Sequence, residues 1–263
     1  MSEMNPRIDE SLVNKYDPNL YAMYVDYPHK SQWAVQADDS LLRVALGKIQ
    51  ARRPFLLYVH IPFCPSQCYY CTCHTFITRQ YERVEKYLDS LYREIDLLAE
   101  LMRNNHVPIY FREIHIGGGS PTFLKRKDFD RLVSHLKNMV SFKDIAEFSV
   151  EIDPRNFDSA MLDYYYECGV NRLSFGVQDF DPEVQKAINR VQPPELLDRL
   201  LTPDVRARFH GINFDIMWGL PRQSLDSFRR TLDTVIRLAP DRISLLYLHM
   251  ATELKKHQKL MRP

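Results

Sequence analysis

Three cysteines stand close together in Cys64-Pro-Ser-Gln-Cys68-Tyr-Tyr-Cys71, just after the apolar run Phe55-Leu-Leu-Tyr-Val-His-Ile61. This CxxxCxxC spacing can put three thiolates into one small loop. Three thiolates fill three corners of a cubane [4Fe–4S] cluster and leave the fourth iron open. An open iron can chelate a substrate or cofactor and pass it an electron. A disulfide pair is not expected, because the chain has five cysteines and no secretory signal. Zinc is the competing reading, since Cys73 could supply a fourth thiolate. Structural zinc sites usually draw ligand pairs from well-separated segments, whereas these four cysteines fall between positions 64 and 73. Cys71 and Cys73 form a C-x-C whose side chains share a face in extended backbone. Geometry alone therefore leaves Cys73 open as a ligand.

Other polar residues follow apolar segments in the same way. Gly117-Gly-Gly-Ser-Pro121 lets a backbone approach a ligand closely and offers N–H and C=O groups to a zwitterion such as a methionine moiety. No GK[ST] follows, so it is not a phosphate loop. Glu151 faces the interior if its alternation matches Ser149 rather than Phe148 and Val150. A buried carboxylate needs partners; ribose hydroxyls would serve, and the alternative is an ion pair with a helix-side arginine. Gln178 and Arg190 read similarly, although a lone arginine is usually a solvated surface charge. Asp215 lies inside Ile212-Asn-Phe-Asp-Ile-Met217 and must be paired or hydrogen-bonded there.

These residues are positioned by a rhythm of short apolar strands and longer amphipathic helices. Strands are predicted over 55–60, 113–116, 146–152, 171–176, 212–217 and 241–248. Helices are predicted over 79–104, 125–140, 159–168, 182–189, 194–209 and 224–238. Gly169 is a helix stop, and Ser224 caps the last helix. Strict alternation implies parallel strands with right-handed crossovers. Six units suit an open, partial barrel, in which functional residues gather at the C-terminal strand ends. The cysteines, the glycines, Glu151, Asp153, Gln178, Asp179 and Asp215 all fall at that rim.

With 263 residues and a 45% hydrophobic share, the chain can bury a sizeable core. A net charge of +1 gives no footing for bulk nucleic-acid binding or an electrostatic hold on membranes. No run approaches a membrane span, and the N-terminus lacks a signal-peptide pattern. Free clustered cysteines then fit a reducing, cytoplasmic setting. Cys168 reads as a small buried hydrophobe. Residues ahead of the first strand are rich in aromatics (Tyr16, Tyr21, Tyr24, Tyr27 and Trp33). They form either an arm over the barrel mouth or a plain extension.

Taken together, these motifs resemble the radical S-adenosylmethionine superfamily and, within it, the oxygen-independent coproporphyrinogen III oxidases. The resemblance runs from about residue 15 to about residue 249. Its motifs are Tyr58-Val-His-Ile-Pro-Phe-Cys64, the CxxxCxxCxC loop through Cys73, Thr78-Arg79-Gln80 and Gly117-Gly-Gly-Ser-Pro-Thr122. Glu151-Ile-Asp-Pro-Arg155, Gly176-Val-Gln-Asp-Phe180, Asn189-Arg190, Asp215 and Gly219-Leu-Pro221 complete the set.

The resemblance implies an α/β fold: a partial (β/α)6, TIM-like barrel over 54–250, an N-terminal arm over 1–53, and 251–263 as the start of a C-terminal region. It implies that Cys64, Cys68 and Cys71 hold the cluster, and that Tyr58, Gly118 and Glu151 contact the S-adenosylmethionine that chelates iron. A second S-adenosylmethionine would meet Tyr70, Gly119, Ser120, Gln178, Arg190, Asp215 and Leu248. Cys73 would serve turnover rather than the cluster, with Tyr58 as the other catalytic residue. The implied reaction uses a 5′-deoxyadenosyl radical to convert two propionates of coproporphyrinogen III to vinyls, giving protoporphyrinogen IX. A flavodoxin or ferredoxin would donate the electron.

Three features depart from the oxidases. Ile116 stands where they usually carry an aromatic residue, Tyr247-Leu-His249 matches only loosely, and the C-terminal helical domain that helps close the substrate site has no counterpart here. A separate polypeptide supplying that domain is therefore an expected partner. The alternatives are a two-cofactor radical methyltransferase or other tetrapyrrole-modifying enzyme, a haem chaperone (against which Cys73 argues), or an inactive truncated relative.

Overall fold

A computed structural model of the chain describes residues 40–49, 53–106, 110–157 and 159–261. The chain divides into two units, Met1–Ala45 and Leu46–Pro263, and the larger carries everything that follows. The aromatic arm expected ahead of the first strand, from Tyr16 to Trp33, lies outside the described residues.

The larger unit is built on six strands: β1 (Pro54–Ile61), β2 (Tyr110–Gly118), β3 (Glu147–Ile152), β4 (Arg172–Gln178), β5 (Gly211–Trp218) and β6 (Arg242–Tyr247). Each lies parallel to its predecessor, so spatial order equals chain order. β1 and β6 do not pair, and the sheet stays open. This is the α/β partial barrel expected of six βα units.

The helices are α1 (Tyr81–Asn104), α2 (Arg126–Met139), α3 (Ala160–Glu167), α4 (Pro182–Ala187), α5 (Glu195–Leu200), α6 (Pro203–Arg208) and α7 (Leu225–Leu238). α1 buries Val84, Leu88, Leu91, Tyr92, Ile95, Ala99 and Met102, a three- and four-residue spacing that makes one apolar stripe. On β3, Phe148, Val150 and Ile152 join the core. Ser149 and Glu151 alternate to the other face. That parity decides the site, because it leaves Glu151 free to meet polar groups. Cutting Phe148 to alanine would cost about 3–5 kcal/mol in such a core.

The helix terminators act as their residue types predict. Gly169 follows α3 with φ of 96°. Ser224 and Ser227 form a reciprocal capping box at α7. The single helix expected over 194–209 is instead two, broken at Leu201–Pro203. Pro203 cannot donate its nitrogen and disfavours helical backbone at Thr202. Thr202 Oγ1 accepts the Val205 N–H instead and starts α6. β2 is longer than expected and absorbs Gly117 and Gly118. At the open edge, β6 leaves Ile243, Leu245, Leu246 and Tyr247 about half exposed. Among the described residues no helix is long and apolar enough to cross a membrane.

Candidate active site

A cavity of about 380 Å³ opens at the C-terminal ends of the strands, within the size range of small-molecule sites. It is lined by Cys64, Cys68, Tyr70, Cys71 and Cys73 from the loop after β1, and by Gly118 and Gly119 after β2. Glu151, Gln178, Arg190 and Asp215 complete the wall from β3, β4, the α4–α5 connection and β5. These sequence-expected residues are brought together. Tyr58, Ser120 and Leu248 stand behind the lining. Ser120 is buried with its hydroxyl 2.9 Å from Thr122. Leu248 packs on Val184, Ile188, Met217 and Leu220, as Tyr70 does. Tyr58 stacks on His115 with ring centroids 5.7 Å apart.

The cysteine loop is pinned by its own backbone groups. Residues Phe63–Cys64 and Phe76–Ile77 pair as a two-residue parallel ladder across its mouth. Asn189 Nδ2 donates to the Gln67 carbonyl at 2.8 Å, and Tyr69 N–H to the Ile188 carbonyl at 2.9 Å. Cys68 is buried. Arg155 Nη2 and Arg190 Nη1 each lie 3.5 Å from its sulfur. Burial, with Cys71 and Cys68 alongside, pushes the Cys64 thiol up to about 12. A hydrogen bond from the exposed Cys73 thiol brings Cys71 down to about 6, and the same bond drives Cys73 up. Three sulfurs gathered at one end of the cavity are soft donors suited to a cationic occupant that takes all three as thiolates. Cys64, Cys68 and Cys71 line the same cavity and are the donor type and number that a [4Fe–4S] cluster with one open iron takes.

The triple glycine has a second use beside the backbone approach to a ligand that its sequence suggests: Gly118 and Gly119 line the cavity, while the protein's own groups press against the glycines. A β-carbon on Gly117 would sit 2.6 Å from Glu151 Oε1, and one on Gly119 would sit 3.0 Å from Cys64 Sγ. The glycines let the Glu151 carboxylate and the cysteine loop close onto β2.

Among the described residues Glu151 has no arginine partner. Its Oε2 accepts the Gly118 N–H at 3.0 Å, and its Oε1 lies 3.0 Å from His115 Nε2. His115 Nδ1 is 2.6 Å from Ser149 Oγ, so imidazole and carboxylate orient each other. Sequence reasoning gave His115 no role. Its signal is parity: positions 115, 149 and 151 face one way on adjacent strands.

Arg190 is buried, not solvated. Its Nη2 donates to the Gly176 carbonyl at 2.6 Å, and its Nη1 lies 3.5 Å from Asp153 Oδ2. Burial pushes the Asp153 carboxyl up, but Arg190 and Arg155 together hold it below the usual carboxylate range. Gln178 takes φ of 68° at an irregularity in the β4–β5 pairing, a conformation rare for a residue with a side chain. The twist sends Gln178 into the cavity, and its buried Oε1 has no partner among the described residues; the same holds for Arg190 Nε. Asn213 Nδ2 donates to Asp215 Oδ1 at 2.9 Å. Burial, reinforced by Glu151, raises the Asp215 carboxyl above its ordinary value. Unpartnered polar atoms and a disfavoured charge are what a polar, cation-bearing ligand would satisfy.

The model of the Radical SAM superfamily matches residues 58–235. The oxygen-independent coproporphyrinogen III oxidase of Salmonella typhimurium is 38% identical over 261 residues, which cover 99% of this chain and 56% of that protein. The Pseudomonas aeruginosa protein of that name is 39% identical over 252 residues, covering 93% and 53%. Among solved structures, coproporphyrinogen III oxidase from Escherichia coli superposes with a TM-score of 0.84 at 34% identity, over 97% of this chain and 56% of that one. A radical S-adenosylmethionine methyltransferase from Kitasatospora setae, at 15% identity and TM-score 0.51, shares the fold alone. The chain spans about half the length of the curated relatives it matches. Three cysteines on the loop after the first strand of an open parallel sheet, with this match over most of its length, make the chain a member of the radical SAM superfamily.

Proposed function

We propose that this chain carries the barrel of an oxygen-independent coproporphyrinogen III oxidase. The observation that carries the reading is the single cavity that joins the three clustered cysteines to Glu151, Gln178, Arg190 and Asp215. The 38% identity to a coproporphyrinogen III oxidase over 99% of this chain supports it.

When bound, the cluster and S-adenosylmethionine supply an electron and a 5′-deoxyadenosyl radical able to take hydrogen from a propionate carbon. The protein's part is to bind, orient and shield. Cys64, Cys68 and Cys71 would hold the cluster, with Arg155 and Arg190 offsetting the charge at Cys68. Glu151, locked by Gly118 and His115, would accept hydrogen bonds from the cofactor on that iron, with Gly118 and Tyr58 alongside. Gln178 and Arg190 keep polar atoms without a partner among the described residues, and Asp215 adds a buried carboxyl. With Tyr70, Gly119, Ser120 and Leu248, they would hold a second S-adenosylmethionine. Cys73, exposed beside Cys71, would act in turnover on the tetrapyrrole. A small flavin or iron–sulfur protein would supply electrons in a reducing cytoplasm. A separate polypeptide or further segment would complete the substrate enclosure.

The test is anaerobic incubation of cluster-loaded protein with reductant, S-adenosylmethionine and coproporphyrinogen III. Vinyl-bearing product with carbon dioxide supports the reading. S-adenosylhomocysteine and a methylated product would replace it with methyl transfer.

A further inference from the structure

The chain continues past β6 into a segment that returns across the cysteine loop. Residues 256–260 form a short 3-10 turn. Three side chains from this stretch reach three carbonyls of the loop. Lys255 Nζ donates to the Cys73 carbonyl at 2.6 Å. His257 Nε2 lies 2.7 Å from the Cys71 carbonyl, and since a carbonyl only accepts, the imidazole is the donor. Gln258 Nε2 donates to the Tyr70 carbonyl at 3.1 Å.

The stretch is itself braced. Gln258 is buried, its Nε2 also reaches the His249 carbonyl at 2.8 Å, and its Oε1 accepts the Ala251 N–H at 2.6 Å. Met261 packs on the same apolar group as Tyr70. A loop that must present Cys71 in a fixed direction has few ways to satisfy its own backbone, because it is neither helix nor ladder. Carbonyls that would otherwise bind water are bound here by side chains fixed on a second segment. Two of those donors serve the residues of the C-x-C pair.

We propose that residues 255–258 are a strap that holds the cysteine loop in its cluster-binding shape, with Lys255, His257 and Gln258 as positioning residues. The proposal rests on the reading of Cys64, Cys68 and Cys71 as cluster ligands. The strap acts through loop geometry, and Lys255, His257 and Gln258 are not among the residues lining the cavity. It places the region C-terminal to the barrel in direct mechanical contact with the metal loop.

The experiment compares Lys255→Met/His257→Leu, which removes both outer donors, with Lys255→Arg/His257→Gln, which keeps a donor at each position. Two readouts are taken besides activity. One is the rate of iron loss to EDTA from the anaerobically reconstituted protein. The other is the rate at which iodoacetamide labels Cys71 and Cys73 in metal-free protein, read by mass spectrometry. The donor-less variant should lose iron and label about threefold to tenfold faster, the effect of losing one or two hydrogen bonds. The donor-keeping variant should match the unaltered protein. Equal rates in all three proteins would overturn the strap, as would equal acceleration in both variants. If the unaltered protein keeps no iron, the cluster reading fails instead, and the labelling rates judge the strap by themselves.

Discussion

Arg190 Nη1 lies 3.5 Å from the sulfur of Cys68, 122 residues earlier in the chain. One guanidinium thereby links the cluster loop, the Gly176 carbonyl at the end of β4 and the Asp153 carboxylate after β3. A buried fork of donors is suited to this, because it spreads one charge over several acceptors that no single lysine could reach together.

Arg190→Gln should therefore act on stability as well as on binding. Asp153 keeps Arg155 at 2.6 Å but loses its second cation, and breaking such a buried pair costs about 3–5 kcal/mol. Urea unfolding should show a loss of unfolding free energy of that size, read as a lower midpoint, with Arg190→Lys giving a smaller one. An unchanged midpoint would mean that the network does not hold the site together.

Glu151→Gln keeps the shape and removes the charge. Affinity for S-adenosylmethionine should fall about ten- to a hundredfold, the effect of losing charged hydrogen bonds. Calorimetry on cluster-loaded protein reads this directly. Equal affinity would remove Glu151 from the cofactor site.

Asp215→Asn should separate stability from function. The folded-state carboxyl is raised above its unfolded value. The stability from this group is present below the unfolded pKa and is lost as pH rises through the folded one. At neutral pH the ionised side chain is thus a cost, which the amide removes. The variant should melt higher at pH 7, with the difference shrinking on acidification, while binding of a second S-adenosylmethionine weakens about tenfold. A lower melting temperature at pH 7 would contradict the burial argument.

Gly119→Ala tests the close approach of β2 to the cysteine loop. Its β-carbon would meet Phe63 O at 2.9 Å and Cys64 Sγ at 3.0 Å, and a backbone atom cannot swing aside. Such overpacking costs about 1–3 kcal/mol. The variant should fold with unchanged circular dichroism yet take up little iron on reconstitution. Full iron uptake would show that the loop has slack.

Much of the fold was legible because it rests on local signals. Period-two apolar runs, the helix stop at Gly169 and the helix start at Ser224 follow from residue type. The strand order follows from right-handed crossovers between parallel strands. Glu151, Gln178 and Asp215 follow from parity and from the strand-end rule, whereas Tyr70 comes through the family resemblance. What escaped depends on contacts distant in sequence. Arg190 reads as a candidate ligand residue, but its burial against Cys68, Gly176 and Asp153 is not legible. The press of Glu151 and Cys64 against the glycines is a second reason for them that the sequence does not show. Gln178 gives no hint of its positive φ, because that twist comes from pairing with β5. Lys255, His257 and Gln258 look like an ordinary polar tail, since their acceptors lie more than 180 residues away.

The central claim is that the cavity after β1 works as a radical-generating centre. The most direct measurement is 5′-deoxyadenosine formed from S-adenosylmethionine by anaerobically reconstituted, reduced protein. The account predicts deoxyadenosine and methionine in equal amounts from the unaltered chain and from Cys168→Ala, and none from Cys64→Ala, Cys68→Ala or Cys71→Ala. Deoxyadenosine formed undiminished by Cys68→Ala, or absent from unaltered protein loaded with about four irons per chain, would contradict it.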